Sequence, residues 1–472
     1  MRKRKFPQTR IRLLGVSRLR LSAFRIVCTL ALTGCASPGT SHDYLVRSIA
    51  EYDRVVPTLI PGDVVTLANG EWKNFEIVFE AHGTASNPIT LRAQTKGAVA
   101  ITGRSNLRLA GEHLIVSGLV FRDGYSADAD VISFRKKQGA LASYSRITEI
   151  VIDDFSQPDP EQGENWIAIY GHDNRVDHSH ILGKRSRGVT LAVIRDDPRS
   201  PEDRHRIDHN YFGHRPPLGK NGGETIRVGT SELSGSASKT IIEDNYFEEC
   251  DGEAEIISIK SGGNVVRGNV IIASQGSIVL RHGSGNLVER NVILGKSKPD
   301  TGGIRIINAQ QTVRDNYIEG VTGSGYYAAI SIMNGARDAP LNGYGQVADT
   351  LIERNSVIDA TEIAIGAGAS SKLSAPPVRT RFTGNLVTGT GDVSPFKVTT
   401  DTAGVDFARN IVNTPAAGLP TPAADVKPIA LSRAANGLLY SSNGIVDAGA
   451  PSDLQPIARN QVGVSWYTAT RR

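Results

Sequence analysis

Cysteine is almost missing. The chain has three, and Cys28 and Cys35 both fall within its first 35 residues, so no disulfide framework holds the body together. The remaining one, Cys250, reads as a small buried apolar side chain rather than a nucleophile. Aromatic residues make up only 6 %, and beyond "SHDYLVRSIAEYDRVV" no stretch repeats its apolar residues with a helical period, which excludes a helix bundle. Acidic residues are absent before Cys35, where nine Lys/Arg stand. Long apolar runs are absent too: Ile26 to Leu32 falls far short of the roughly 20 residues a spanning helix needs.

That basic, briefly apolar start reads as a targeting leader rather than a domain. Its end, Leu32-Thr33-Gly34-Cys35, resembles the lipobox of bacterial lipoproteins. The expectation is a signal peptide over residues 1–34, an acylated Cys35 opening a short tether over 35–44, and a bacterial cell-envelope location, periplasmic or outer-membrane anchored. An ordinary secretory signal cleaved near Ala36 is the alternative. Without the leader, 44 Lys/Arg face 48 Asp/Glu, so the basic balance belongs to the leader and nucleic acid is not the expected partner. An anionic ligand must be met by a local cluster of cations.

Glycine is plentiful, at 49 residues, and it punctuates short β-branched runs. An apolar-x-x-Asn-x-apolar motif recurs around Asn210, Asn245, Asn269, Asn291, Asn316, Asn355 and Asn385, at spacings of 35, 24, 22, 25, 39 and 30 residues. A unit of 22 to 25 residues with insertions is the signature of a solenoid. The prediction is an all-β, single-domain right-handed parallel β-helix over 45–472, with the amphipathic stretch as an N-terminal capping helix and the coils fading after about 415. The asparagines fit left-handed corners, each amide bonded to neighbouring backbone.

Residues at one position of successive coils stack about 4.8 Å apart. Counted back from the asparagines, Lys260, Arg281 and Arg305 fall within a residue of one column, and "TIRVG" places Arg227 a coil earlier. Apolar neighbours point these cations outward. Cations so stacked repel one another, which implies an anion to bind. In "DGEAEIISIK", Glu253 and Glu255 share a face, and a bulge at Ile256-Ile257 would let Lys260 point outward as well. With the amide of Asn221 in "KNGGETIRVG" they would form a hard-cation site such as Ca²⁺; spacing alone leaves a solvated acidic patch open.

"KNGGETIRVG", "DGEAEIISIKS", "VLRHGSGN" and "GGIRIIN", in this order, resemble polysaccharide lyase family six, which holds alginate lyases and chondroitinase B. The resemblance covers most of the chain from about residue 45 to "GVSWY". It implies a right-handed parallel β-helix and β-elimination on an anionic, uronate-containing polysaccharide. It implies Asn221, Glu253 and Glu255 as Ca²⁺ ligands, Lys260 as base, Arg281 as proton donor, and Arg227, His282 and Arg305 as substrate-binding residues. A guanidinium gives up a proton reluctantly, so His282 or water could deliver it instead. Alginate is the expected substrate and dermatan sulfate the alternative. A surface module that binds a polyanion without cleaving it would need only the cations. A hydrolase would need Glu253 and Glu255 as acid and base, which neighbouring cations oppose by holding both ionised.

Overall fold

The computed structural model describes residues 40–127, 130–196, 202–391 and 393–468. The expected leader, with Cys35, lies outside that range. From Asp43 to Val426 the chain winds as a parallel β-helix, giving short strands to three sheets of 14 strands each. One coil shows the plan: Ile241–Glu243 lies in the first sheet, Tyr246–Glu248 in the third and Glu255–Lys260 in the second. Alternation turns Ile242, Phe247, Ile257 and Ile259 inward, all fully buried. Like stacks on like from coil to coil: the rings of Phe212 and Phe247 lie 4.9 Å apart, which is the spacing of neighbouring strands. Cys250 is buried, and burial pushes its thiol up to about 12, so it stays protonated and inert as expected.

The asparagine motif is structural, but its corner is built differently from the expectation. The left-handed residue is the one before the asparagine: His209, Asp244, Arg290, Asp315, Arg354 and Arg409 have φ between 49° and 58°. That residue turns the chain and leaves the asparagine side chain pointing into the coil. Each Oδ1 there accepts from the backbone N–H and the Nδ2 of the asparagine one coil earlier, in an unbroken series from Asn210 to Asn410. A second ladder, which the motif did not reveal, runs through Thr240, Asn264, Asn286, Gln311 and Thr350 at another corner. These amides have no water to return to, so an unpaired one costs about 1–3 kcal/mol. Asn291→Ala should therefore destabilise the central coils by about 3 kcal/mol, read as faster hydrogen exchange at Asn269 and Val292.

From Arg146–Thr148 to Thr380–Thr383 the turn between the first and third sheets is always two residues long, whereas the connections on either side of the second sheet vary. Residues 213–225, 229–240 and 334–350 are such connections, and they carry the irregular spacing of the motif. Insertions thus gather on both flanks of one face.

Two end segments correct the expectations. The stretch expected as one capping helix opens as a strand, Asp43–Val46, which begins inside the expected tether and pairs with Val64–Leu67. Only Ile49–Val55 is α-helical, followed by a 3-10 turn over Val56–Thr58, and it is started by Ser48, whose hydroxyl accepts from Glu51 N–H at 3.2 Å. It caps the core by burying Tyr52 edge-on against Phe75. Alternation in "HDYLV" suits an edge strand better than a helix. Among the described residues no helix is long and apolar enough to cross a membrane.

The coils end with Ala424–Val426. The chain then forms a hairpin, Leu431–Arg433 with Leu439–Ser441, and returns along the outer surface of the third sheet. That surface is apolar: Val270, Val292, Tyr317, Ile358 and Leu386 are buried beneath Leu438, Ala450 and Leu454. The closing "GVSWY" docks near the other end, with Val464 against Val120 and Val151. His180 anchors it, its Nδ1 accepting from the Val464 N–H at 2.8 Å. Burial, aided by Arg459, pushes His180 down to about 4, below its ordinary value near 6.5. The unfolded chain therefore takes up this proton first. Stability from this site is complete above about pH 6.5 and drains as pH falls toward 4. The melting temperature should fall more across that window in the wild type than in His180→Asn, which can accept the same N–H but does not titrate.

Candidate active site

Four neighbouring strands of the second sheet build the site: Ile226–Val228, Glu255–Lys260, Gly276–His282 and Thr301–Ile306. The bulge expected after Glu255 is present, as the pairing with the next strand shifts between Glu255 and Ile257 and again between Ile259 and Lys260. Ile257 and Ile259 stay in the core while Glu255 and Lys260 remain partly exposed.

The expected single column of cations is not there. Arg227 pairs across to Ser258, Ser258 to Val279 and Val279 to Arg305, so these two arginines share a row but stand three coils, about 14 Å, apart. Lys260 pairs with His282, and Arg281 lies off the Arg227 row. Counting back from the asparagines fails because it ignores the bulges. Each cation instead faces a carboxylate. Lys260 Nζ and Arg227 lie 3.4 Å and 3.7 Å from Glu224 Oε1, and Arg281 and Arg305 lie 3.9 Å and 3.7 Å from Glu255 Oε1. The repulsion between stacked cations is thus relieved within the protein and does not by itself demand an anion.

Unspent donors point to one more directly. Arg227 Nε and one terminal nitrogen of Arg305 are buried with no hydrogen-bond partner. A buried guanidinium N–H left bare costs more than a neutral one, and a ligand carboxylate would satisfy it.

Glu224 is the residue that sequence reasoning missed. It sits three after Asn221 and three before Arg227, is 4 % exposed, and its Oε2 is buried without a partner. Glu253 accepts from the N–H groups of Gly222 and Gly223 at 2.8 Å and 3.3 Å. Even so, burial first, then Glu224 and Glu255, push it well above the usual carboxylate range. Asn221 lies exposed on the same loop. Among the described residues no three His, Cys, Asp or Glu side chains are gathered closely enough to enclose a metal by themselves. An orphaned carboxylate oxygen beside a carboxylate pushed toward its neutral form is nevertheless what an oxygen-liganded cation would resolve, so the donor set fits one.

Two loops frame the face. Ser231 Oγ lies 3.1 Å from His282 Nε2. Burial, then Arg281 and Lys260, push His282 down to about 4, so at neutral pH it is an uncharged imidazole and not an imidazolium acid. Arg281 donates to Gly343 O at 3.0 Å and lies 4.2 Å over the Tyr344 ring. Between the loops a cavity of about 330 Å³ reaches His282, Asn308, Ser236 and Leu341.

The family model described as chondroitinase B matches residues 46–450. Among solved structures, the PL6 family alginate lyase AlyGC is 45 % identical over 91 % of this chain, with a TM-score of 0.89. This chain covers 59 % of that one, about three fifths of its length. A mannuronic acid specific family 6 lyase from human gut microbiota is 32 % identical, covering 82 % of this chain and 92 % of its own, with a TM-score of 0.75. A PL6 family polysaccharide lyase from Pseudopedobacter saltans is 25 % identical, covering 90 % and 100 %, with a TM-score of 0.72. No curated protein matches the chain.

Proposed function

The chain belongs to the chondroitinase B family, the sixth family of polysaccharide lyases, and from that premise we propose that it cleaves alginate by β-elimination. The observation that carries this is the outward set of Lys260 and Arg281 between the carboxylates Glu224 and Glu255, flanked by bare guanidinium nitrogens on Arg227 and Arg305. Two of the similar structures are an alginate lyase and a mannuronic acid specific lyase, which favours alginate over dermatan sulfate.

Elimination breaks the C5–H and C4–O4 bonds of a uronate and forms a C4–C5 double bond. Lys260 takes the C5 proton at Nζ as the free amine, the form a base requires, and becomes the ammonium that Glu224 faces. Arg281 hydrogen-bonds the departing O4, whose proton comes through Arg281 or a water beside it. Arg227 and Arg305 hold substrate carboxylates, and neutral His282 hydrogen-bonds a sugar hydroxyl. Asn221, Glu224, Glu253 and Glu255 would hold a hard divalent cation, Ca²⁺ by their oxygen-only donors. When bound, it supplies positive charge against the uronate carboxylate and so makes the neighbouring C5–H more acidic.

Ultraviolet absorbance of the purified protein with polymannuronate, polyguluronate and dermatan sulfate, each with and without a chelator, tests the reading. A rise on an alginate block that the chelator stops is the expected result. No rise on any polymer that the protein nevertheless binds would replace the lyase with a binding module. The motif Leu32 to Cys35 supports acylation at Cys35 and a cell-envelope location, which mass spectrometry of the mature N-terminus would check.

A further inference from the structure

A buried arginine lies beneath the carboxylates. Arg215 is 3 % exposed, and its guanidinium donates to backbone oxygens of two successive coils: to Gly188 O at 2.7 Å and Ser186 O at 3.4 Å, and to Glu224 O at 2.7 Å and Gly222 O at 3.4 Å. It also reaches Thr190 Oγ1 at 2.9 Å. The next coil closes over it so tightly that a Cβ on Gly252 would meet Arg215 Nε at 2.7 Å and Gly223 O at 2.2 Å. That contact explains why glycine precedes Glu253.

The placement does more than satisfy carbonyls. Gly222 O and Glu224 O flank Gly223, and the N–H groups of Gly222 and Gly223 are the donors that orient Glu253. One guanidinium thus sets the backbone from which Glu224 projects and the amides on which Glu253 rests. Burying a charge is costly unless it is fully bonded, and a loop held by neutral groups would avoid that cost. A fixed positive charge behind Glu224 and Glu253 adds to Lys260 and Arg227, which face Glu224 from the outer side, and offsets the repulsion that would otherwise part the two carboxylates.

We propose that Arg215 is a positioning residue that holds Glu224 and Glu253 in their cation-binding arrangement before the cation arrives. This rests on the metal reading proposed above. The side chain touches neither the substrate face nor the reacting atoms.

The test is calcium titration by isothermal calorimetry of the full folded protein and of Arg215→Lys, beside melting curves with and without calcium and activity as a function of calcium. Arg215→Lys keeps the charge but loses the fork. The expected result is a calcium affinity at least about tenfold weaker, a smaller calcium-induced rise in melting temperature, and activity that recovers as calcium is raised. Unchanged affinity in a folded variant would overturn the proposal. Should Arg215→Lys fail to fold, Thr190→Val, which removes one acceptor of the guanidinium at nearly constant shape, decides in the same way. A wild type that binds no calcium removes the metal reading and this proposal together, whereas equal binding by wild type and variant removes the proposal alone.

Discussion

Lys260→Ala loses turnover by about a thousandfold or more and leaves the coil folded. The side chain lies on the outer face of its strand, about one fifth exposed, and its charged contact is Glu224. The residues that pack this strand are Ile257 and Ile259, which point the other way and are fully buried. Removing the ammonium therefore empties no core volume, and Glu224 keeps Arg227 at 3.7 Å. The melting temperature should correspond to a stability change within about 1 kcal/mol. Lys260→Arg should not restore activity, because a guanidinium holds its proton too firmly to serve as a base. Turnover surviving in either variant would remove Lys260 from the chemistry, and an unfolded Lys260→Ala would remove it from the outer face.

Glu255→Gln lowers kcat/KM by about a hundredfold or more, with calcium affinity falling in parallel. Its Oε1 lies within 3.9 Å of both Arg281 and Arg305, and its Oε2 accepts from Ser258 Oγ. An amide of the same shape keeps the packing but withdraws the negative charge that holds two arginines toward one point. It also takes one charge from the carboxylate set. Calorimetry with calcium separates the two effects: lost activity with intact calcium binding would assign Glu255 to the arginines alone, and full activity without bound metal would remove the cation site.

The fold was legible because a solenoid repeats its instructions. The asparagines around Asn210 to Asn385 stack as read, since each corner must satisfy the same buried amides in every coil. The outward Lys260 and the bulge before it also followed from strand periodicity, whereas Glu253 did not, since it lies in the bend just ahead of the strand that opens at Glu255. The single cation column did not, because a bulge adds a residue to one strand without marking the sequence, and the register of Arg281 against Lys260 depends on both neighbours. Glu224 escaped notice because its importance lies in what it faces, Lys260 from the next coil. Arg215 was silent for the same reason: its partners are backbone oxygens of other turns, which no side-chain pattern records.

Local periodicity alone thus determined the architecture, the inward and outward faces, and the strands from which the candidate site is drawn. Those properties arise within a few residues and repeat. Tertiary structure decided which charges meet, which carboxylate is left unpaired, where the variable loops close over Arg281 and His282, and that the tail runs back along the third sheet to His180. Those contacts join residues from tens to nearly three hundred positions apart, and their geometry is set by how coils and loops pack against one another, which short-range pattern does not encode.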